Sequence, residues 1–329
     1  MDVTIDGQSA DQRLDRFLRK FCKQYPQVSL GEIYKWLRTG LVKVNGKRKK
    51  EDYRVQVWDV LTFMKFELGE HKPESAKPIK QHRKERINRD KIAPWIIYDD
   101  KHRLVWNKPA GIVLHESNHH RQDLSMNDYL EEYCIWKGIS DPNSTTFKPS
   151  FGYRLDKDTS GVLIAAKDYP SLQYINSVIR DRKIDKLYKT IVVGQFPKTL
   201  RLDKALEKSF DKDSERAHVV VSKEGKASVT ECKLDKMWFH PLLGKLSMVT
   251  VKIETGRMHQ IRVHLADAGY PVLWDITYGN EAVNRKLVKQ LKIKRQLLHC
   301  WKYELTDPNT YKPLSFEAPI PEEFYSLIM

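Results

Sequence analysis

Three stretches of the chain hold residues whose type and spacing could do chemistry. The first is Gly152-Tyr153-Arg154-Leu155-Asp156-Lys157-Asp158-Thr159-Ser160-Gly161, a polar loop that runs straight into the apolar Val162-Leu163-Ile164-Ala165-Ala166. A buried strand at the loop's exit would hold a carboxylate rigidly, although Asp156 or Asp158 could equally cap its own turn. The second is Thr255-Gly256-Arg257-Met258-His259-Gln260-Ile261-Arg262-Val263-His264. Its two histidines stand five apart, whereas a metal-binding helix spaces them by three or four. No carboxylate or cysteine stands at a useful spacing, so no metal is expected. Arg257 and Arg262 read better as partners of a carboxylate or a phosphate. The third is Lys186-Leu187-Tyr188-Lys189-Thr190-Ile191-Val192-Val193-Gly194, which alone is an ordinary strand with a packed tyrosine.

The elements that must position these residues can be read around them. Ile96–Tyr98 and Leu104–Trp106 predict short strands with Asp99-Asp100 at the turn, and Val162–Ala166 predicts a buried one. A helix is expected over Leu172–Ile179. Further strands are expected at Tyr188–Val193, His218–Val221, Val229–Leu234 and Leu246–Glu254. His259–Ala268 predicts a helix ending at Gly269. Many strands with few helices predict an α+β catalytic region around a mixed or antiparallel sheet.

The first 90 residues are different. They hold 21 Lys and Arg against 13 Asp and Glu, out of 58 and 43 in the 329-residue chain, whose formal net charge is +15. Leu14, Phe17, Leu18 and Phe21 fall at helical spacing, with Arg13, Arg16 and Arg19 on other faces. Ser29 followed by Glu32 forms a capping box for a second helix, and Gly40 suits its end. Asn45-Gly46 between short extended segments predicts a hairpin, followed by the basic run Lys47-Arg48-Lys49-Lys50. Val55, Val57, Val60, Leu61 and Phe63 would close a small β unit. The division expected is residues 1–66, a charged linker over 67–91, and 92–329. The linker reading rests on scarce apolar residues, two prolines and many charges.

Composition excludes other classes. No apolar run approaches the roughly 20 residues of a membrane span. The start MDVTIDGQSADQR has no apolar core behind basic residues, so no secretory signal is expected. Cys22, Cys134, Cys232 and Cys300 form no CxxC pair, which predicts packed, reduced thiols in a cytoplasmic protein. The positive surplus points to a polyanionic partner.

Taken together, the chemical stretches resemble the RluA-type pseudouridine synthases. Arg154-Leu155-Asp156-Lys157-Asp158-Thr159-Ser160-Gly161 matches that family's central motif. Lys186-Leu187-Tyr188 matches its tyrosine motif, and Gly256-Arg257-Met258-His259-Gln260-Ile261-Arg262-Val263-His264 its arginine motif. Leu104 to Gly111, Asp275-Ile276-Thr277-Tyr278-Gly279 and Leu297-Leu298-His299 also fit, in family order. Tyr153, Met258 and Cys300 depart from the usual His, Thr and Ala. The N-terminal unit resembles the α-L (S4-like) RNA-binding domain. With that domain attached, the closest likeness is to the members acting on large-subunit ribosomal RNA.

The resemblance implies an isomerase that converts uridine to pseudouridine in RNA, with transfer RNA as an alternative substrate. A non-catalytic RNA-binding or ribosome-assembly factor on the same fold is the other alternative. The reaction breaks a C–N glycosidic bond and rejoins the base through carbon 5, so no cofactor and no metal are implied. Asp156 would be the essential carboxylate, attacking sugar or base or abstracting a sugar proton. Arg262 would be its counter-charge, and Tyr188 would stack on the base or assist deprotonation. Arg154 would fill the gap left by a flipped nucleotide, and Arg257 and His259 would contact substrate. Arg13, Arg16, Lys35, Arg38, Lys43 and Lys47 would grip phosphates. The partner expected is RNA, with no membrane, and the chain is expected to be a monomer.

Overall fold

The computed structural model describes residues 1–7, 9–22, 25, 28–64, 87–115, 123–140, 147–210, 217–290, 293, 295–308 and 310–328. Contact density divides the chain into two compact units. One is Met1–Arg89 with Asp128–Ser150 and Ala166–Gln173; the other is Asp90–Asn127 with Phe151–Ala165 and Tyr174–Met329. Most of the expected linker lies outside the described residues. Its last described part begins a one-turn helix, Arg89–Ile92.

In the N-terminal region the helices Leu14–Phe21 and Leu30–Thr39 form where the apolar spacing places them. Ser29 Oγ accepts from the Glu32 backbone N–H at 3.3 Å, and Glu32 Oε2 accepts from Ser29 N–H at 2.7 Å. These reciprocal bonds satisfy donors that a helix start leaves orphaned. Gly40 closes the helix at φ 73°. Leu14, Phe17, Leu18, Ile33, Leu37 and Leu61 share one core.

The Asn45-Gly46 turn forms, with both residues at positive φ, and Val44 and Lys47 exchange both backbone hydrogen bonds across it. The expected hairpin does not continue. Val42–Val44 pairs instead with Val60–Phe63, which also pairs with Asp2–Thr4. The arm after the turn is Lys47-Arg48-Lys49-Lys50, with no apolar face to bury, so the sheet recruits Val60–Phe63. Val55 is buried in the core, but Val57 is exposed rather than packed.

The second unit is built on a ten-stranded mixed sheet. From edge to edge run Ile96–Asp99, Arg103–Lys108, Ser160–Ala166, Leu298–Thr306, Asp185–Val193, Gly244–Ile253, Val229–His240 and Thr199–Asp203. Pro313–Glu317 and Ser150–Phe151 pair off this path. Leu298–Thr306 runs parallel to Ser160–Ala166 and antiparallel to Asp185–Val193. Every residue of Ser160–Ala166 is buried, as a strand covered on both faces requires. Gly161, at φ +112°, permits the closest approach: a Cβ there would stand 2.1 Å from the Cys300 carbonyl oxygen. Ala217–Val221 is not in this sheet; it forms a separate hairpin with Leu206–Phe210. All four cysteines are free and buried. Among the described residues no helix is long and apolar enough to cross a membrane.

Candidate active site

The central loop ends where the Ser160–Ala166 strand begins, and it is fastened from beneath. Lys108 is fully buried, and its Nζ donates to the carbonyls of Lys157 and Thr159 at 2.8 Å each and of Pro109 at 3.0 Å. Burial pulls the Lys108 ammonium down to about 7, against the charges of Asp158 and Asp156. Gln296 Nε2 donates to Thr159 Oγ1 at 2.9 Å. Ser160 Oγ stands 2.9 Å from His299 Nδ1. Asp156 is thereby carried on a loop whose backbone has little freedom, with its carboxylate about one-fifth exposed.

Asp156, Tyr188 and Arg262 line one pocket, with Arg154, Arg257 and His259. Arg262 lies on the helix Gln260–Asp267, which follows the strand Gly244–Ile253. His259 precedes that helix in the left-handed conformation, φ 54°. Gln260 pegs the helix: its Nε2 donates to Val229 O and Thr230 Oγ1, and its Oε1 accepts from Thr255 Oγ1 and Arg257 N–H. His264 is equally occupied, by Thr230 Oγ1 and the Lys204 carbonyl. Among the described residues no group of three or more His, Cys, Asp or Glu is placed to hold a metal ion.

Arg262 reaches Asp156 with NH1, 3.3 Å from Oδ2. Its main partner is a residue to which the sequence had given no role. Asp275 accepts from Arg262 Nε at 2.6 Å and NH2 at 2.9 Å. Asp275 also accepts from the backbone N–H groups of Thr277 and Tyr278. Burial works against the charge on both groups. Their mutual hydrogen bonds and attraction outweigh it, leaving Arg262 above and Asp275 below its ordinary value. The arginine is thus a fixed cation aimed at Asp156 by a second carboxylate. The signal for Asp275 was the Asp275-to-Gly279 block. Only the turn, which Gly279 permits because a Cβ there would stand 2.1 Å from Asp275 O, gives the block its geometry.

The Tyr278 hydroxyl accepts from Val219 N–H at 2.8 Å and lies 2.9 Å from His259 Nδ1. Burial lowers the His259 pKa, against the pull of Asp156, which favours the neutral ring. Nε2 stands 3.9 Å from Asp156 Oδ2, beyond a direct hydrogen bond. Tyr188 is buried. Burial first, then Cys300 and Tyr153, push its hydroxyl well above the phenol range. It faces the pocket as a neutral ring. Arg154 and Arg257 are both exposed at the pocket.

The phosphate-gripping residues expected in the N-terminal region are elsewhere. Arg13, Arg16, Lys35, Arg38 and Lys47 are exposed, and Lys43 is half-buried. Arg13 is held by Asp15 at 3.0 Å. Arg38 shares a groove with Arg48, Lys49 and Lys50, residues of the basic run that sequence reading had not singled out individually.

His299 supplies a test of the loop's support. Burial pushes its imidazole down to about 4, so the folded chain keeps it neutral while the unfolded chain protonates it below about 6.5. The folded state therefore loses stability as pH falls from about 6.5 towards 4. His299→Gln should remove roughly 2 kcal/mol of the stability difference between pH 7 and pH 5. Paired urea melts at the two pH values measure it; equal pH sensitivity of parent and variant would refute the assignment.

Comparison with known proteins gives the same picture. The RNA pseudouridylate synthase family matches residues 102–267, and the S4 domain matches residues 12–61. "Ribosomal large subunit pseudouridine synthase C" of Escherichia coli K12 is 33% identical over 322 residues, covering 97% of this chain and 93% of that protein. The protein of the same name from Buchnera aphidicola subsp. Schizaphis graminum is 31% identical over 319 residues, covering 97% and 93%. Among solved structures, human RNA pseudouridylate synthase domain containing 4 aligns with TM-score 0.55 at 21% identity, covering 73% of this chain and 93% of that one. Human RNA pseudouridylate synthase domain containing 1 aligns with TM-score 0.53 at 23% identity, covering 68% and 82%. These two share the fold. Likeness along nearly the whole length, at that identity, leaves one conclusion: the chain belongs to the RNA pseudouridylate synthase family and is an RNA pseudouridine synthase with an S4 domain.

Proposed function

We propose that this enzyme isomerises specific uridines of large-subunit ribosomal RNA to pseudouridine, with Asp156 as the essential carboxylate. The observation that carries the reading is the pocket itself: Asp156 on a clamped loop, 3.3 Å from a fixed Arg262, with Tyr188 in the same wall. Arg262 sets a fixed positive charge 3.3 Å from the Asp156 carboxylate and helps place it. Tyr188, neutral and buried, offers a ring against which a base can stack. Arg154 at the mouth takes the gap left when the nucleotide leaves its stack. Arg257 and His259 contact the substrate beside it. The ribosomal substrate is favoured by the printed names of the full-length relatives. Pseudouridine mapping in RNA from cells with and without the protein tests it. Loss of discrete sites in large-subunit ribosomal RNA is expected; loss confined to transfer RNA would overturn the substrate.

The same reading divides the chain into an RNA-gripping domain over 1–66, a charged connection over 67–91 and a catalytic domain over 92–329. It takes the enzyme to be a cytoplasmic monomer, in keeping with four free, buried thiols. Arg16, Lys35, Arg38, Lys43 and Lys47, with Arg13, supply phosphate contacts that position RNA without reading it. Replacing Arg16, Lys35 and Arg38 together by Gln should weaken binding and flatten its salt dependence. Three lost contacts lower the log–log slope by roughly 2–3. Salt-titrated binding to one ribosomal RNA fragment measures this. An unchanged slope would make the N-terminal domain a protein-interaction module.

A further inference from the structure

Among the described residues of the catalytic unit, two lysines are buried, Lys108 and Lys186, and their ammonium groups meet different surroundings. Lys108 is saturated by three carbonyls. Lys186 is only 6% exposed, yet its Nζ makes no hydrogen bond or ion pair with the described residues. That nitrogen lies 3.6 Å from where a Cβ on Gly256 would stand, and Gly256 lines the pocket that holds Asp156 and Tyr188. Lys186 and Tyr188 are both buried, on either side of half-buried Leu187, so they share one face of the strand Asp185–Val193.

A cation in such a place is costly unless an anion meets it. Burial already lowers its pKa, opposed by the neighbouring Cys300. RNA brings one kind of fixed anion, the backbone phosphate. Residues two apart on a strand are separated by ~6.6 Å, a reach suited to a base and its own backbone. Exposed Arg257, next to Gly256, extends the positive wall outward.

We propose that Lys186 binds a backbone phosphate oxygen of the nucleotide held against Tyr188. This rests on the reading of the Asp156 pocket as the site that receives a uridine. It gives the buried ammonium the ligand that the protein withholds, and it makes Lys186 a substrate-binding residue.

The test pairs protein and RNA changes on a short oligonucleotide spanning a uridine that the parent enzyme converts. Replacing the phosphate of that nucleotide by a neutral methylphosphonate should weaken parent binding about tenfold. Lys186→Gln should weaken binding to the natural oligonucleotide similarly and lower the log–log salt slope by about 0.7. Combined, the two changes should cost no more than either alone, and Lys186→Arg should restore sensitivity to the methylphosphonate. Fully additive effects, or a Gln variant with the parent's slope, would overturn the proposal. If the Gln variant does not fold, the parent alone decides through methylphosphonates placed singly at the phosphates flanking the uridine. Sensitivity at one of them supports the proposal, and indifference at all of them overturns it. The conversion assay separates the two levels. A parent that converts the uridine without this coupling removes only the role of Lys186. A parent that converts no uridine in any RNA removes the reading of the pocket, and this proposal with it.

Discussion

Asp156→Asn should abolish pseudouridine formation while leaving the fold and RNA binding largely intact. The substitution keeps size and shape and removes the charge that Arg262 faces at 3.3 Å. Loss of an essential carboxylate is expected to lower turnover by roughly 10⁴-fold or more. Stability should change little, because the loop is held through backbone carbonyls and through Thr159 and Ser160, not through the Asp156 side chain. Turnover and thermal melting on the same preparation check this. Appreciable turnover by the folded variant would reject Asp156 as the essential group.

Arg262→Ala should damage both turnover and stability, and the structure changes the reason. The sequence led to an expectation that Asp156 would lose its charge partner. The larger loss falls on Asp275, whose carboxylate has no exposed surface and takes two bonds from the guanidinium. Removing one member of a buried pair costs about 3–5 kcal/mol. Turnover should fall by roughly 10²–10³-fold, as when a preorganised electrostatic donor is removed. The pH response should change sign at Asp275. In the parent its lowered pKa contributes stability that is present above the unfolded carboxylate range and lost as pH falls through the folded value. Without Arg262 the buried carboxylate favours protonation, so acidification should relieve part of the defect. Denaturant melts across pH 4 to 7 would show the variant gaining on the parent at low pH. A defect of constant size would contradict the Asp275 account.

What could be read from the chain, and what could not, follows the sequence distance of the interactions. The Ser29–Glu32 box, the Gly40 cap and the helix after His259 depend on residues within a few positions of each other. The loop running into Val162–Ala166 was equally legible, because an all-apolar run after a polar loop has few other readings. The partner of Val42–Val44 was misjudged, because a turn signal says where the chain reverses and not how far the ladder extends. The fastening of the Asp156 loop was invisible. Lys108 acts on a carbonyl 49 residues away, and His299 meets a hydroxyl 139 residues away. Asp275 is 13 positions from Arg262, across a turn that only the folded chain defines.

The central claim is that this pocket isomerises uridine in large-subunit ribosomal RNA through Asp156. The direct measurement is pseudouridine formation on unmodified large-subunit ribosomal RNA by the purified parent and its Asp156→Asn variant, mapped site by site. The account predicts pseudouridine at discrete uridines with the parent and none above background with the variant at matched RNA occupancy. Equal yields from the two proteins, or no product from a folded, RNA-binding parent, would contradict it.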